Sequence, residues 1–333
     1  MANNPAEYAV LPSGLVKLQL NDYNDDIDRF GVVNASVLPR NLKKLNIDSV
    51  IMNTPLYMDG VLPNSIVSIN LGKCCSQIQF GKDGTGVKLP SSLLTLDLGA
   101  EFNCPIPPHT LPKGLKKLYM QEYNYPLDMD TLPDSIQHLQ FGRGYTHKIR
   151  HCHLPQSLTY LELPASFDQP LEEGLFPEGL KTLYLGYKFN HPIHPSHFPT
   201  SLKKLVLSFM FNQPIHNNDS KESLLPPVEI LEFGTNFDQP FGSCKVDSND
   251  NKNNKVVISF LPRSIRWLSI GKYNQPIEKG YITDNITILH VDDPFARFTN
   301  SIYYPSIKYW LPNSTILYFN NKVRHVQNNK KGV

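Results

Sequence analysis

Leu111-Pro-Lys-Gly-Leu-Lys-Lys-Leu-Tyr-Met120 is one copy of a phrase that recurs along this chain, Leu-Pro-x-(Ser/Gly)-Leu-x-x-Leu-x-(Leu/Ile). Phe176-Pro-Glu-Gly-Leu-Lys-Thr-Leu-Tyr-Leu185 repeats it with phenylalanine in front. Clean copies start at Leu11, Leu38, Leu62, Leu89, Leu111, Leu132, Leu154, Phe176, Phe198 and Leu261. Blurred copies start at Leu224, Ile282 and, slipped by one residue, Leu311. From Leu89 to Phe198 the starts lie 22, 21, 22, 22 and 22 residues apart. A fixed period of this size predicts a solenoid, in which each coil buries its apolar face only against its neighbours. The expected fold is a mainly β, curved single-domain solenoid of about twelve coils.

With the anchor Leu or Phe as position zero, apolar residues fall at +4, +7 and +9, as in Leu115, Leu118 and Met120. The +7/+9 pair has the period of a short strand. Proline at +1 cannot donate to a ladder and belongs before the strand. Glycine at +10, as in Gly72, Gly99, Gly142 and Gly234, suits a turn where positive φ costs little. The prolines forbid a long helix, so the return is extended or a single turn. Short parallel strands are therefore expected on the concave face.

A second phrase lies near +13: Phe102-Asn-Cys-Pro-Ile106, Tyr123-Asn-Tyr-Pro-Leu127, Phe167-Asp-Gln-Pro-Leu171, Phe189-Asn-His-Pro-Ile193, Phe211-Asn-Gln-Pro-Ile215, Phe237-Asp-Gln-Pro-Phe241 and Tyr273-Asn-Gln-Pro-Ile277. Its aromatic and its last aliphatic read as core. Its Asn or Asp is suited to bonding irregular backbone, and stacked copies predict an asparagine ladder along the back.

The two phrases joined resemble the FNIP repeat, a unit of about 22 residues similar to leucine-rich repeats. That family is abundant in social amoebae and in giant DNA viruses that infect amoebae. The resemblance runs roughly from Leu11 to Ile302. It implies a horseshoe used for protein contacts and brings no catalytic residues. Many viral relatives begin with an F-box; a first coil at Leu11 leaves no room for one here.

Composition narrows the function classes. Charged residues make up 19% and the net charge is +2, which argues against a nucleic-acid or anionic-membrane partner. Five cysteines, Cys74, Cys75, Cys104, Cys152 and Cys244, show no disulfide spacing and point to a reducing compartment. Residues 1–10 lack a signal-peptide pattern and read as a cap. The cytoplasm is the expected location, the host's if the chain is viral. Residues 11–319 form the solenoid, interrupted by the polar tract 242–255, read as a mobile loop, and followed by a polar tail at 320–333.

Positions +6 and +8 flank the inward +7 and so point outward from the strands. They supply the candidate binding residues Tyr119, His138, Tyr160, Glu162, Thr182, Tyr184, Lys204 and Trp267. Rigidly held Tyr and Trp are the usual material of binding hot spots. Lysines at +5 and +6, such as Lys116-Lys117 and Lys203-Lys204, read as a solvated rim balanced by acids. His147, His151, Cys152 and His153, with His191, His194 and His197 two coils on, are of ligand type. They lie on irregular segments a coil apart, so no metal site is assigned. Gly81-Lys-Asp-Gly-Thr-Gly86 lacks the phosphate-loop form. No cofactor, small-molecule substrate or enzymatic activity is expected. The function expected is non-catalytic protein binding through the strand face; the alternative is a structural component of a giant-virus particle.

Overall fold

The computed structural model describes residues 11–21, 38–48, 62–72, 88–246, 255–271, 273, 275–291, 315–319 and 322–325. The expected N-terminal cap, the Gly81–Gly86 stretch, Cys74-Cys75, the middle of the polar tract and most of the tail lie outside them. By its internal contacts the chain divides into two compact units, Met1–Ser166 and Phe167–Val333.

In the first unit seven parallel strands follow one another: β1 (Lys17–Asn21), β2 (Lys44–Asp48), β3 (Ser68–Asn70), β4 (Thr95–Asp97), β5 (Lys117–Tyr119), β6 (His138–Gln140) and β7 (Tyr160–Glu162). Their register puts every +7 residue opposite the next: Leu18, Leu45, Ile69, Leu96, Leu118, Leu139, Leu161. The second unit is built the same way from β8 (Thr182–Tyr184), β9 (Lys204–Val206) and β10 (Ile230–Glu232). An antiparallel pair, β11 (Gly242–Val246) and β12 (Lys255–Ser259), then interrupts it. The parallel ladder resumes from β10 to β13 (Trp267–Ile270), β14 (Ile288–Val291) and β15 (Ile316–Phe319). Finally β16 (Lys322–His325) turns back antiparallel to β15.

Each unit is thus a parallel β-solenoid with a period near 22 residues. The described strands slightly exceed the twelve coils expected. The described returns are irregular, with single 3-10 turns at His151–His153 and Pro195–His197. Two readings need correcting at their edges. The tract expected as a loop from Gly242 opens instead with five residues of strand, held by Lys255-Val-Val-Ile-Ser259, whose β-branched run favours pairing. The tail includes β16, where Val323 and neighbours continue the ladder.

The first phrase is a turn followed by a strand. Its proline carbonyl accepts from the N–H three residues on, at 3.0 Å in Leu42 to Pro39, Leu115 to Pro112 and Leu180 to Pro177. The residues at 0, +4, +7 and +9 are buried; Leu111, Leu115, Leu118 and Met120 are all at or below 3% exposure.

The serine of the phrase works between coils. Ser65, Ser92, Ser135 and Ser201 each donate from Oγ to the carbonyl of the preceding coil's +4 residue (Leu42, Ile66, Leu115 and Leu180) at 2.7 Å. Ser264 is an exception, with Oγ buried and unpartnered. Gly114 occupies the serine slot, and a Cβ there would meet only Ser91 O, at 3.6 Å. Gly114→Ser should therefore stabilise the fold by about 0.5–1.5 kcal/mol, from one new hydrogen bond and a less flexible unfolded chain. Thermal denaturation checks this; a lower midpoint would contradict the role given to the slot.

The second phrase stacks on itself. Phe102, Tyr123 and Tyr145 lie nearly parallel at 6.2 and 6.4 Å in the first unit. Phe167, Phe189, Phe211, Phe237 and Tyr273 do so at 6.0–6.3 Å in the second. The asparagine ladder forms, but each side chain bonds the next coil and not its own loop. Asn103 Oδ1 accepts from Asn124 N (3.0 Å), Asn124 from Thr146 N (2.9 Å), Asn190 from Asn212 N (2.9 Å) and Asn212 from Asp238 N (2.9 Å). Only the acceptor oxygen is used in these bonds, which is why Asp fits the slot at 168 and 238. Asn190→Asp should be tolerated. Asn190→Ala strips the acceptor from Asn212 N and from Gln213 Nε2, at 3.2 Å, and should cost about 0.5–1.5 kcal/mol. Equal urea midpoints for the two variants would remove the ladder from the account of stability.

Candidate functional site

Because +7 is buried in every three-residue strand, +6 and +8 stand on the other face, half-covered by their cross-strand neighbours. The first unit pairs Lys117, His138 and Tyr160 in one row and Tyr119, Gln140 and Glu162 in the other. The His138 ring lies flat on Tyr160, with centroids 3.9 Å apart and planes 9° from parallel. Tyr119 meets it from the other side at 5.2 Å. The Tyr160 hydroxyl donates to Glu162 Oε2 at 3.3 Å. Four of the expected residues are therefore one packed group.

Burial and neighbouring groups shift the titration of two side chains in this group. Burial, then the Lys117 ammonium, hold His138 below the usual imidazole range. Its Nε2 is buried without a hydrogen-bond partner. Burial pushes Glu162 up, against the hydrogen bonds from Tyr160 and Gln140 that hold it down. The result is an aromatic platform edged by one half-buried carboxyl group.

In the second unit Lys204 is the centre. Its Nζ reaches Glu232 Oε1 at 2.7 Å and lies 5.1 Å from the Tyr184 ring centroid and 5.8 Å from that of Trp267. Burial pulls its pKa down, but the Glu232 carboxylate and Tyr184 outweigh it and leave it raised. Thr182 is the direct partner of Lys204 in the ladder. Lys203 pairs with Glu229 beside them. A cation held between aromatic faces and a carboxylate gains from both.

Sequence reasoning missed two features. Glu232 completes the lysine's environment, although its +8 position was legible. Tyr187 and Phe209, both exposed, stack at 4.6 Å with Met210 beside them on the turn after the strands. Only a +11 column of large apolar residues in two adjacent coils foreshadowed that patch.

The histidines of the returns serve local structure. His147 Nε2 donates to Asn124 O at 3.0 Å, and His191 Nε2 to Asp168 O at 3.0 Å. His153 and His197 accept from the N–H of Arg150 and His194, closing the two 3-10 turns. Among the described residues no three His, Cys, Asp or Glu side chains are grouped to hold a metal ion. Cys104, Cys152 and Cys244 are not joined in a disulfide among the described residues. Among the described residues no helix is long and apolar enough to cross a membrane.

The FNIP repeat model matches residues 79–122, 123–166 and 167–210, three blocks of two coils each. Among solved structures the chain is similar to CroV588, a giant-virus protein solved as a novel circular leucine-rich-repeat protein. The two are 28% identical with a TM-score of 0.57; the match covers 93% of this chain and 47% of CroV588. The chain thus spans about half the length of that protein. No curated protein matches the sequence.

Proposed function

We propose that this FNIP-repeat protein is a non-catalytic scaffold or adaptor that binds a protein partner through the outward faces of its strands, in the cytoplasm. The observation that carries this reading is the Tyr119–His138–Tyr160 cluster, three rings packed across neighbouring strands on the outward side of a sheet. Its rotamer entropy is already spent, so a partner covering it gains apolar burial at little ordering cost. The Tyr184–Lys204–Trp267 group offers a second such surface. The repeat family and the leucine-rich-repeat-like fold support this reading, because solenoids commonly present their strand face to partners.

The test is quantitative affinity purification from amoebal lysate. The baits are the native chain and a variant with Ala at Tyr119, Tyr160, Tyr184 and Trp267, matched first for folding by circular dichroism. A protein retained by the native bait and lost from the variant is the expected result. Identical protein lists from both baits would overturn the strand-face reading.

A further inference from the structure

Four apolar side chains form one outward row across adjacent strands of the second unit: Ile230, Trp267, Ile288 and Ile316. Trp267 and Ile316 are 36% and 38% exposed, and the other two are half-buried. The matching row in the first unit is polar: Thr95, Lys117, His138 and Tyr160. The apolar row is therefore a local feature and not a property of the repeat.

Its spacing selects a shape. Parallel strands lie about 4.8 Å apart, so the row advances by that step. The stripe of an α-helix advances about 5.4 Å per turn and stays nearly in step over four positions. Same-face residues of an extended strand are about 6.8 Å apart and fall out of step by the third. The flanking charges select a sign. Lys203 is paired with Glu229, and Lys204 with Glu232. Arg266, exposed and next to Trp267, donates to Asn285 O at 3.2 Å and has no carboxylate partner among the described residues. Arg263 and Asp284, opposite in sign, stand farther out on the turns. Among the described side chains beside β10, β13 and β14, the unbalanced charge is thus one guanidinium.

We propose that this row receives one amphipathic α-helix of a protein partner, laid across the strands, with its apolar stripe on Trp267 and the three isoleucines and a carboxylate on Arg266. The inference rests on the protein-binding reading and names the partner's chemistry.

The probes are two labelled helical peptides of about 18 residues, or five turns, with the same leucine stripe. One carries glutamate beside the stripe and the other lysine. Fluorescence anisotropy is read against the full chain. The glutamate peptide should bind saturably and roughly ten-fold more tightly than the lysine peptide, a difference of one good charge contact. Arg266→Glu should reverse that order. Ile288→Ser with Ile316→Ser should weaken the glutamate peptide roughly ten-fold, with circular dichroism unchanged. Equal binding of both peptides, or an order untouched by Arg266→Glu, overturns the proposal. A lysate partner lost with Tyr119 and Tyr160, while neither peptide binds, sinks the helix inference and leaves the protein-binding reading standing.

Discussion

Leu161→Ala is expected to cost about 2–5 kcal/mol of stability, read as a fall in the urea midpoint of the far-ultraviolet signal. Leu161 is fully buried at the +7 position of β7, opposite Leu139 of β6 in the ladder. Removing its side chain leaves a cavity in the core. Its row cannot slide, because the coil on that side is fixed by backbone bonds such as Tyr160 N to Gln137 O at 3.0 Å. The loss should also spread, since a coil of a solenoid is stabilised by the coils it touches. Leu94→Ala is the matched control. Leu94 stands at +5, is 44% exposed, and should change stability by no more than about 0.5 kcal/mol. Equal effects from the two substitutions would mean that the inward and outward positions had been exchanged.

Most of the fold is legible in the sequence because a repeat states the same constraint many times. The +4, +7 and +9 apolar positions, read from Leu115, Leu118 and Met120, are buried in coil after coil. What single coils do not reveal is how they touch. Ser92 in isolation reads as a turn residue, yet its hydroxyl bonds Ile66 O in the coil before. Asn190 reads as a loop-former, yet it holds Asn212 N of the coil after. Both bonds join residues 22 or more apart in sequence, where a local reading has no purchase.

The candidate faces divide along the same line. Alternation alone puts Tyr119, His138, Tyr160, Tyr184, Lys204 and Trp267 on the outward side. The flat His138–Tyr160 contact and the reach of Lys204 Nζ to both Glu232 and Trp267 depend on side-chain conformations that alternation does not specify. The apolar row lay partly beyond reach because the phrases that start at Ile282 and Leu311 are degraded. Ile288 and Ile316 join Ile230 and Trp267 only once the ladder is known. The Lys255–Ser259 strand sat beside a polar run whose composition masked its β-branched core.

Gly142→Ala should prove among the most damaging of single-methyl additions, at about 3 kcal/mol or more, the upper end of overpacking costs. Sequence reasoning places glycine at +10 for its freedom to take positive φ, and Gly72 and Gly99 do so at 56° and 71°. Gly142 and Gly234 are not among the positive-φ glycines, and their need is different. A Cβ on Gly142 would stand 1.7 Å from Gln121 O and 2.2 Å from Gln121 C; one on Gly234 would stand 1.9 Å from Ser208 O. These are backbone atoms of the preceding coil, and no side-chain rotation clears them. Gly142 also receives Ala165 N on its carbonyl at 3.2 Å, so it is held from the following coil as well. Making room for a methyl group therefore means prying apart a ladder bonded on both sides. Gly114→Ala tests whether the space or the residue type matters, because its nearest obstacle is at 3.6 Å, an ordinary contact. Thermal unfolding of the two variants side by side should show a large fall in midpoint for Gly142→Ala and little change for Gly114→Ala. A near-native midpoint for Gly142→Ala would mean that the coils do not approach as closely at +10 as this packing requires.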